Sequence, residues 1–137
     1  EKVRRMLPTT RGLQYRAVRY EDHMATVLTA ADLIIGRAGG TTVADLAEVG
    51  VAGLLVPLPG SPRDHQTANA AALVRVGGAI AVPDEELTGD RLVAEVTPLI
   101  DDPDRLLAMG AAARTLAHPD AAERVADLVE DHARRSR

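Results

Sequence analysis

The stretch from Ala30 to Gly60, AADLIIGRAGGTTVADLAEVGVAGLLVPLPG, restricts this chain of 137 residues more than any other segment. Two unbroken apolar runs, Leu33–Gly36 and Gly53–Leu58, bracket it. They lack the alternation of a half-exposed strand and suit strands covered on both faces. Between them Val43, Leu46, Ala47 and Val49 recur at helical spacing, and Gly50 follows where a helix takes a C-cap glycine. The spacing predicts a helix that starts at Thr41 or Thr42, capped by a hydroxyl. Two buried strands bridged by a helix imply parallel pairing through a right-handed crossover. The helix opens on Gly39-Gly40, so free N–H groups and the positive end of the dipole converge where glycine lets a ligand approach the backbone. That is a seat for phosphate, and it points to a nucleotide-handling α/β protein.

The remaining chain extends the pattern. Leu13–Val18 reads as a strand after Gly12, and Asp22 as the cap of a helix to Ala31 with Met24, Val27 and Leu28 on one face. Pro57, Pro59, Gly60 and Pro62 make a stiff loop, followed by a helix over Asp64–Val76 that Gly77-Gly78 stops. Ala79–Val82 is the last strand, and helices follow over Thr88–Ile100, Pro103–Leu116 and Ala121–Arg135. Thr88 and the Asp102-Pro103 pair mark two helix starts, while Pro98 is expected to kink or end its helix. The order β-α-β-α-β-α-β, then helices, predicts an α/β fold with a parallel sheet and flanking helices. Four strands make a small sheet with an edge to cover. The chain also begins at Glu1 without Met, so further strands are expected upstream and the domain is read as incomplete at its N-terminal edge.

Composition closes several other routes. With 46% hydrophobic residues the chain can build one core, and with no Phe or Trp that core must be aliphatic. Tyr15 and Tyr20 are the only aromatic residues and the net charge is −4, which argues against nucleic acid as a partner. The basic Arg134-Arg135-Ser136-Arg137 reads as a frayed tail. Absence of cysteine removes disulfides and thiolate metal sites and fits a cytosolic protein. No apolar run reaches the roughly 18–20 residues of a membrane span, and the amino end lacks the apolar core of a secretory signal. His23, His118 and His132 stand at non-ligand spacings, so neither a metal nor a cofactor is expected. There is no GxSxG elbow and no carboxylate pair set for glycoside hydrolysis.

Two polar clusters can carry chemistry, and each has a plainer reading. Gly39-Gly40-Thr41-Thr42 is a phosphate seat or an ordinary strand-to-helix turn; it is neither GxGxxG nor a P-loop. Asp45, placed by this reading in the first turn of the helix, either accepts hydrogen bonds from ribose hydroxyls or complements the helix dipole, worth about 0.3–1 kcal/mol. Asp64, His65, Gln66 and Asn69 open the next helix. Gln66 and Asn69, three apart, present amides suited to sugar hydroxyls; alternatively Asp64 caps a solvated first turn.

Taken together, GRAGGTTVADLAEVGVAGLLVPLPG, DHQTANA and the late PDAAERVADLV resemble, in order and spacing, the carboxy-terminal half of the MurG family. These are GT-B glycosyltransferases of family 28 that add N-acetylglucosamine to the lipid-linked muramyl pentapeptide of peptidoglycan. The resemblance covers nearly the whole chain. It implies a Rossmann-like, UDP-sugar-binding half of a GT-B enzyme, residues 1–137, truncated at its N-terminus, with the acceptor domain absent. It further implies that the backbone at Tyr20-Glu21 meets uracil and that Gly40, Thr41 and Thr42 lie by the diphosphate and sugar. Asp45 would hold the ribose, His65 and Gln66 the sugar hydroxyls, and Arg37 would shape its loop. The family often has Glu where Asp45 stands, and a Gln-Gln pair where His65-Gln66 stands.

On this resemblance the chain is the donor-binding domain of an inverting UDP-GlcNAc transferase, holding no catalytic base of its own. Its implied partners are UDP-GlcNAc and, through the missing half, the lipid-linked acceptor. That half would also make the only peripheral contact with the inner face of the bacterial plasma membrane. A second hypothesis is a non-catalytic UDP-sugar-binding subunit of a split two-chain glycosyltransferase. UDP-GlcNAc 2-epimerases share the GT-B fold, but an acidic SGG turn is expected there in place of Arg37-Ala38-Gly39-Gly40.

Overall fold

The computed structural model describes residues 15–135. Three strands, β1 (Leu33–Gly36), β2 (Ala52–Leu55) and β3 (Ala79–Ala81), form a parallel sheet in the order β1-β2-β3. Ile34 lies opposite Gly53, and Leu54 opposite Ile80. The ladder runs one bond past the strands, with Val56 N–H donating to Gly36 O (2.8 Å) and Val82 N–H to Leu55 O (2.9 Å). Pro57 and Pro83 follow at once and have no N–H to continue it, so both strands end short of the expected Leu58 and Val82. The strand expected over Leu13–Val18 is not formed in its described part: residues 15–18 are exposed and pair with nothing, and residues 13 and 14 lie outside the described residues. A strand persists only where a neighbour takes its backbone groups.

Helices α1 (Met24–Ala30), α2 (Gly40–Val49), α3 (His65–Val76), α4 (Gly89–Ile100) and α5 (Pro103–Arg114) lie around the sheet, and α6 (Ala121–Arg135) follows them. Side chains alternate along β2. Gly53 and Leu55 face α2 and α3, where Leu46, Ala70 and Leu73 pack. Ala52 and Leu54 face α4 and α5, against Leu99, Leu106 and Met109 and against Val82 with Leu92 and Val96. Leu46, Leu54, Leu55, Leu73 and Leu99 are each wholly buried, which stabilises the fold by about 1.5–3 kcal/mol per side chain. Helix α6 stands apart: none of its residues is buried.

The caps differ from expectation at three helices. His23, not Asp22, is the N-cap of α1, with no capping side-chain bond, and its own N–H donates to the Glu21 carboxylate at 2.8 Å. Gly39, not a threonine, is the N-cap of α2; it is extended (φ −63°, ψ 153°), so Thr41 and Thr42 fall inside the first turn. Asp64 does precede α3, but its carboxylate accepts from Thr67 Oγ1 (2.8 Å) rather than from a backbone N–H. Thr88 and Asp102 cap α4 and α5 as their sequences predict, at 3.1 and 3.0 Å. Helix α4 continues through Pro98 to Ile100. Helix α5 stops at Arg114, where Thr115 and Leu116 turn to bonds three residues back.

Helix α5 crosses the starts of β2 and β3 at very close range. A Cβ on Gly110 would lie 2.3 Å from Gly50 O, and one on Gly78 would lie 2.7 Å from Ala113 Cα. Gly50 itself ends α2 at φ 73°, and Arg114 Nη2 donates to the adjacent Val49 O at 2.5 Å. The α2 C-cap, the β2 start and α5 are therefore locked as one backbone contact. Gly110→Ala is expected to destabilise the protein by about 2 kcal/mol through overpacking. Gly89→Ala, where a Cβ meets nothing within 4 Å, should be neutral or slightly stabilising. Urea unfolding of both variants checks the contrast, and equal effects would contradict the packing.

Candidate functional site

A parallel sheet delivers the segments after β1, β2 and β3 to the same carboxyl edge, the place where open α/β sheets hold ligands. After β1, Arg37-Ala38-Gly39 turns into α2. Gly39 O accepts from Val43 N at 3.0 Å. No N-cap side chain bonds to the helix and no acid stands in its first turn, so among the described residues the N–H groups of residues 40–42 have no side-chain acceptor. Gly40 and Thr41 are exposed; Thr42 and Asp45 are half-buried. Asp45 follows Thr41 by four positions and Thr42 by three, so the three share one helical face. It is in the second turn rather than the expected first, because the helix starts at Gly40. The dipole effect falls off within one turn, and the dipole-complementing role loses its basis at this distance.

After β2 the chain runs through a buried Ser61 (8% exposed) and a 3₁₀ turn, Pro62–Asp64, into α3. Arg63 (φ 54°) and Asp64 (φ 53°) are both left-handed, a conformation that costs a side-chain-bearing residue about 1 kcal/mol or more. Local bonds hold them. His65 Nδ1 lies 2.7 Å from Pro62 O. A carbonyl can only accept, which places a proton on Nδ1 of the exposed ring, so that the neutral tautomer with this bond has Nε2 as an acceptor. The Ser61 hydroxyl accepts from Gln66 N at 3.4 Å.

The two amides behave unlike free sugar ligands. Gln66 Oε1 accepts from Leu58 N–H at 2.9 Å, tying α3 to the proline loop and leaving its Nε2 without a protein acceptor among the described residues. Asn69 Nδ2 donates to Ala38 O at 3.1 Å, tying α3 to the turn before α2. Arg37 joins all three segments: Nη1 donates to Val56 O and Pro57 O, each at 3.3 Å, and pairs with Asp84 Oδ1 after β3. Arg37 therefore shapes the loop, as the resemblance implies. Sequence reasoning missed its partner Asp84, 47 positions away, and the Asn69–Ala38 bond, 31 positions apart. No local pattern signals either one.

The structure thus brings Gly40, Thr41, Thr42 and Asp45 onto one helix and places His65 and Gln66 on a neighbouring helix bonded to the same edge. Tyr20 is exposed, and among the described residues no hydrogen bond links it or Glu21 to that group. A cavity of about 710 Å³ lies elsewhere, lined by residues 30–33 and 50–52 at the strand starts and by α4 and α5. Its lining is mostly aliphatic and includes none of the predicted site residues, so it offers no polar grip on a phosphorylated sugar.

The family model of the glycosyltransferase family 28 C-terminal domain matches residues 1–125. The chain belongs to that family. It is 49% identical over 113 residues to the UDP-N-acetylglucosamine–N-acetylmuramyl-(pentapeptide) pyrophosphoryl-undecaprenol N-acetylglucosamine transferase of Alkalilimnicola ehrlichii, covering 82% of this chain and 32% of that protein. The enzyme of the same name from Gloeobacter violaceus is 45% identical over 117 residues, 85% of this chain and 33% of that one. Among solved structures, Acinetobacter baumannii MurG superposes with a TM-score of 0.80 at 38% identity, over 85% of this chain and 33% of that one. This family 28 chain spans about a third of the length of the curated relatives it matches.

Arg37 and Asp84 are both partly open to solvent, with side chains 47% and 34% exposed. The ion pair itself should contribute less than about 1 kcal/mol, while loss of Arg37 also frees the Val56 and Pro57 carbonyls. Arg37→Ala is expected to cost about 1–2 kcal/mol and Asp84→Ala less than half of that. Denaturant titration of the two variants and their double mutant checks the order; an equal or larger loss for Asp84→Ala would reverse it.

Proposed function

We propose that this chain is the UDP-GlcNAc-binding domain of an inverting glycosyltransferase that moves GlcNAc onto the lipid-linked muramyl pentapeptide of peptidoglycan. The observation that carries the reading is the amino end of α2, opened by Gly39 and left without cap or acid at the carboxyl edge of the sheet. The names of the relatives at 45–49% identity supply the donor and acceptor. In this reading the diphosphate sits against the N–H groups of Gly40, Thr41 and Thr42. Asp45 accepts from the ribose hydroxyls, and His65 Nε2 with Gln66 Nε2 faces the sugar. Tyr20 and Glu21 approach uracil with their backbone.

The acceptor hydroxyl attacks the anomeric carbon, that carbon's bond to the phosphate oxygen breaks, and UDP leaves with the bonding pair. Charge grows on the diphosphate, where fixed N–H groups and the helix dipole stabilise it without reorganising. The acceptor and the base that takes its proton come, in this proposal, from an acceptor domain outside residues 1–137. So does peripheral contact with the inner face of the plasma membrane. The roughly threefold greater length of the relatives supports this division.

Titration of the chain with UDP, followed by amide NMR, should move resonances of residues 20–22 and 39–45; no change at millimolar UDP would sink the reading. Asp45→Asn keeps the size of the side chain and removes its charge, a loss of about 1.5–3 kcal/mol for a charged hydrogen bond. The UDP dissociation constant should rise at least about tenfold. An unchanged constant would return Asp45 to a structural role. Residues 1–137 alone should transfer no GlcNAc to a lipid-linked muramyl acceptor, since turnover needs acceptor and base held in place. Measured transfer would put the base inside this chain.

A further inference from the structure

We infer that Asn69 is a positioning residue for the donor seat: its Nδ2 donates to Ala38 O and thereby sets the direction in which the turn before α2 presents its N–H groups. This rests on the function proposed above. The spacing of Gln66 and Asn69 offers both amides to a sugar, yet Asn69 has its nitrogen engaged at 3.1 Å with a backbone carbonyl on another loop. The orientation of the amide follows from chemistry. A side-chain oxygen facing the Ala38 carbonyl would set two acceptors against each other, so the NH₂ group must face it.

The consequence runs through one peptide plane. In a trans peptide the C=O and the following N–H point in opposite directions. Holding Ala38 O toward α3 therefore turns the N–H of Gly39 away from α3. Gly39 has no side chain to limit its rotation, and it stands at the N-cap of α2. Ala38 is wholly buried, which anchors the residue before the plane. Gly39 O accepts from Val43 N, which anchors the residue after it. Among the described residues, the bond from Asn69 is the one that reaches this turn from another α-helix. Arg37, the next residue back, holds the same turn to the loops after β2 and β3. Asn69 thus couples the helix carrying His65 and Gln66 to the helix carrying Thr41, Thr42 and Asp45.

The test uses the 137-residue chain with UDP as the probe. In the free wild type, one Asn69 Nδ2 proton should exchange with solvent measurably more slowly than those of an exposed amide. Asn69→Ala removes the donor, and the isosteric Asn69→Asp places a carboxylate oxygen against Ala38 O. In both variants the free-state amide resonances of residues 39–42 should move, and UDP should bind at least about fivefold more weakly, with Asn69→Asp the weaker. Unmoved amides over residues 39–42 overturn the inference, even where affinity falls, because Asn69 would then touch the ligand directly. Moved amides with unchanged affinity overturn it as well. If the wild type binds no UDP, the proposed donor site fails, and the positioning role stands or falls on the free-state amides. If neither variant folds, the exchange rate of the Asn69 side chain in the wild type decides, and fast exchange overturns it.

Discussion

Strand β2 is the constraint on which the rest of this fold depends. Every residue from Val51 to Val56 is buried, and the strand is paired in parallel on both sides, to β1 and to β3. Its odd-numbered positions face α2 and α3 and its even-numbered ones face α4 and α5. A strand in that setting must be apolar throughout, which is why Val51–Val56 shows no alternation. Parallel pairing also forces each return to cross over through a helix, so the loops that follow the three strands emerge at one edge. The site is a consequence of that edge.

The two ends of the sheet are built differently. At the strand starts, glycine lets backbones touch: Gly110 against Gly50 O, and Gly78 against Ala113. Close backbone contact of this kind resists deformation because no side chain can rotate out of the way. At the carboxyl edge the segments are held by hydrogen bonds from Arg37, Gln66 and Asn69, which are directional and individually modest. An edge held by such bonds keeps its backbone donors oriented while tolerating exchange of ligand for water. The left-handed Arg63 and Asp64 lie in this part of the molecule, at the turn into α3, where Thr67 Oγ1 donates to Asp64 and His65 Nδ1 donates to Pro62 O. Residues in that conformation cluster at functional sites, and in the proposed function this turn leads into His65.

Among the described residues, no side chain caps the amino end of α2 and no acid stands in its first turn. Helices α4, α5 and α6 are treated otherwise, while α1 and α3, like α2, have no N-cap side-chain bond and no acid in the first turn. Thr88 and Asp102 cap α4 and α5, and Asp90, Asp104 and Glu123 stand in the first turns of α4, α5 and α6. At α2 the N-cap is a glycine, and in the proposed function a ligand's charge completes the helix. In the proposed function an acid at the cap would occupy the place of the diphosphate, whereas Asp45, one turn further along, reaches toward the ribose.

Much of this was legible in the sequence, for a physical reason. Apolar runs and helical spacing are local consequences of burial, so the strands over Leu33–Gly36 and at Ala52–Leu55, the C-cap at Gly50 and the caps Thr88 and Asp102 could be read from neighbours within one turn. The order of those elements, with the motifs of the glycine turn and DHQTANA, was enough to indicate the family. What could not be read depends on pairs distant in sequence. A strand over Leu13–Val18 needs a neighbour, and the described residues 15–18 have none. The cap of α2 fell to Gly39 because backbone geometry preceded side-chain preference there, and α1 took His23 rather than Asp22. Arg37 with Asp84, and Asn69 with Ala38, meet only because parallel crossovers bring three strand ends to one edge. The sequence alone determined which residues could form elements and which chemistry they could carry. Tertiary structure decided which amides were spent on holding the loops and which remained for a ligand, since a hydrogen bond depends on where both partners end.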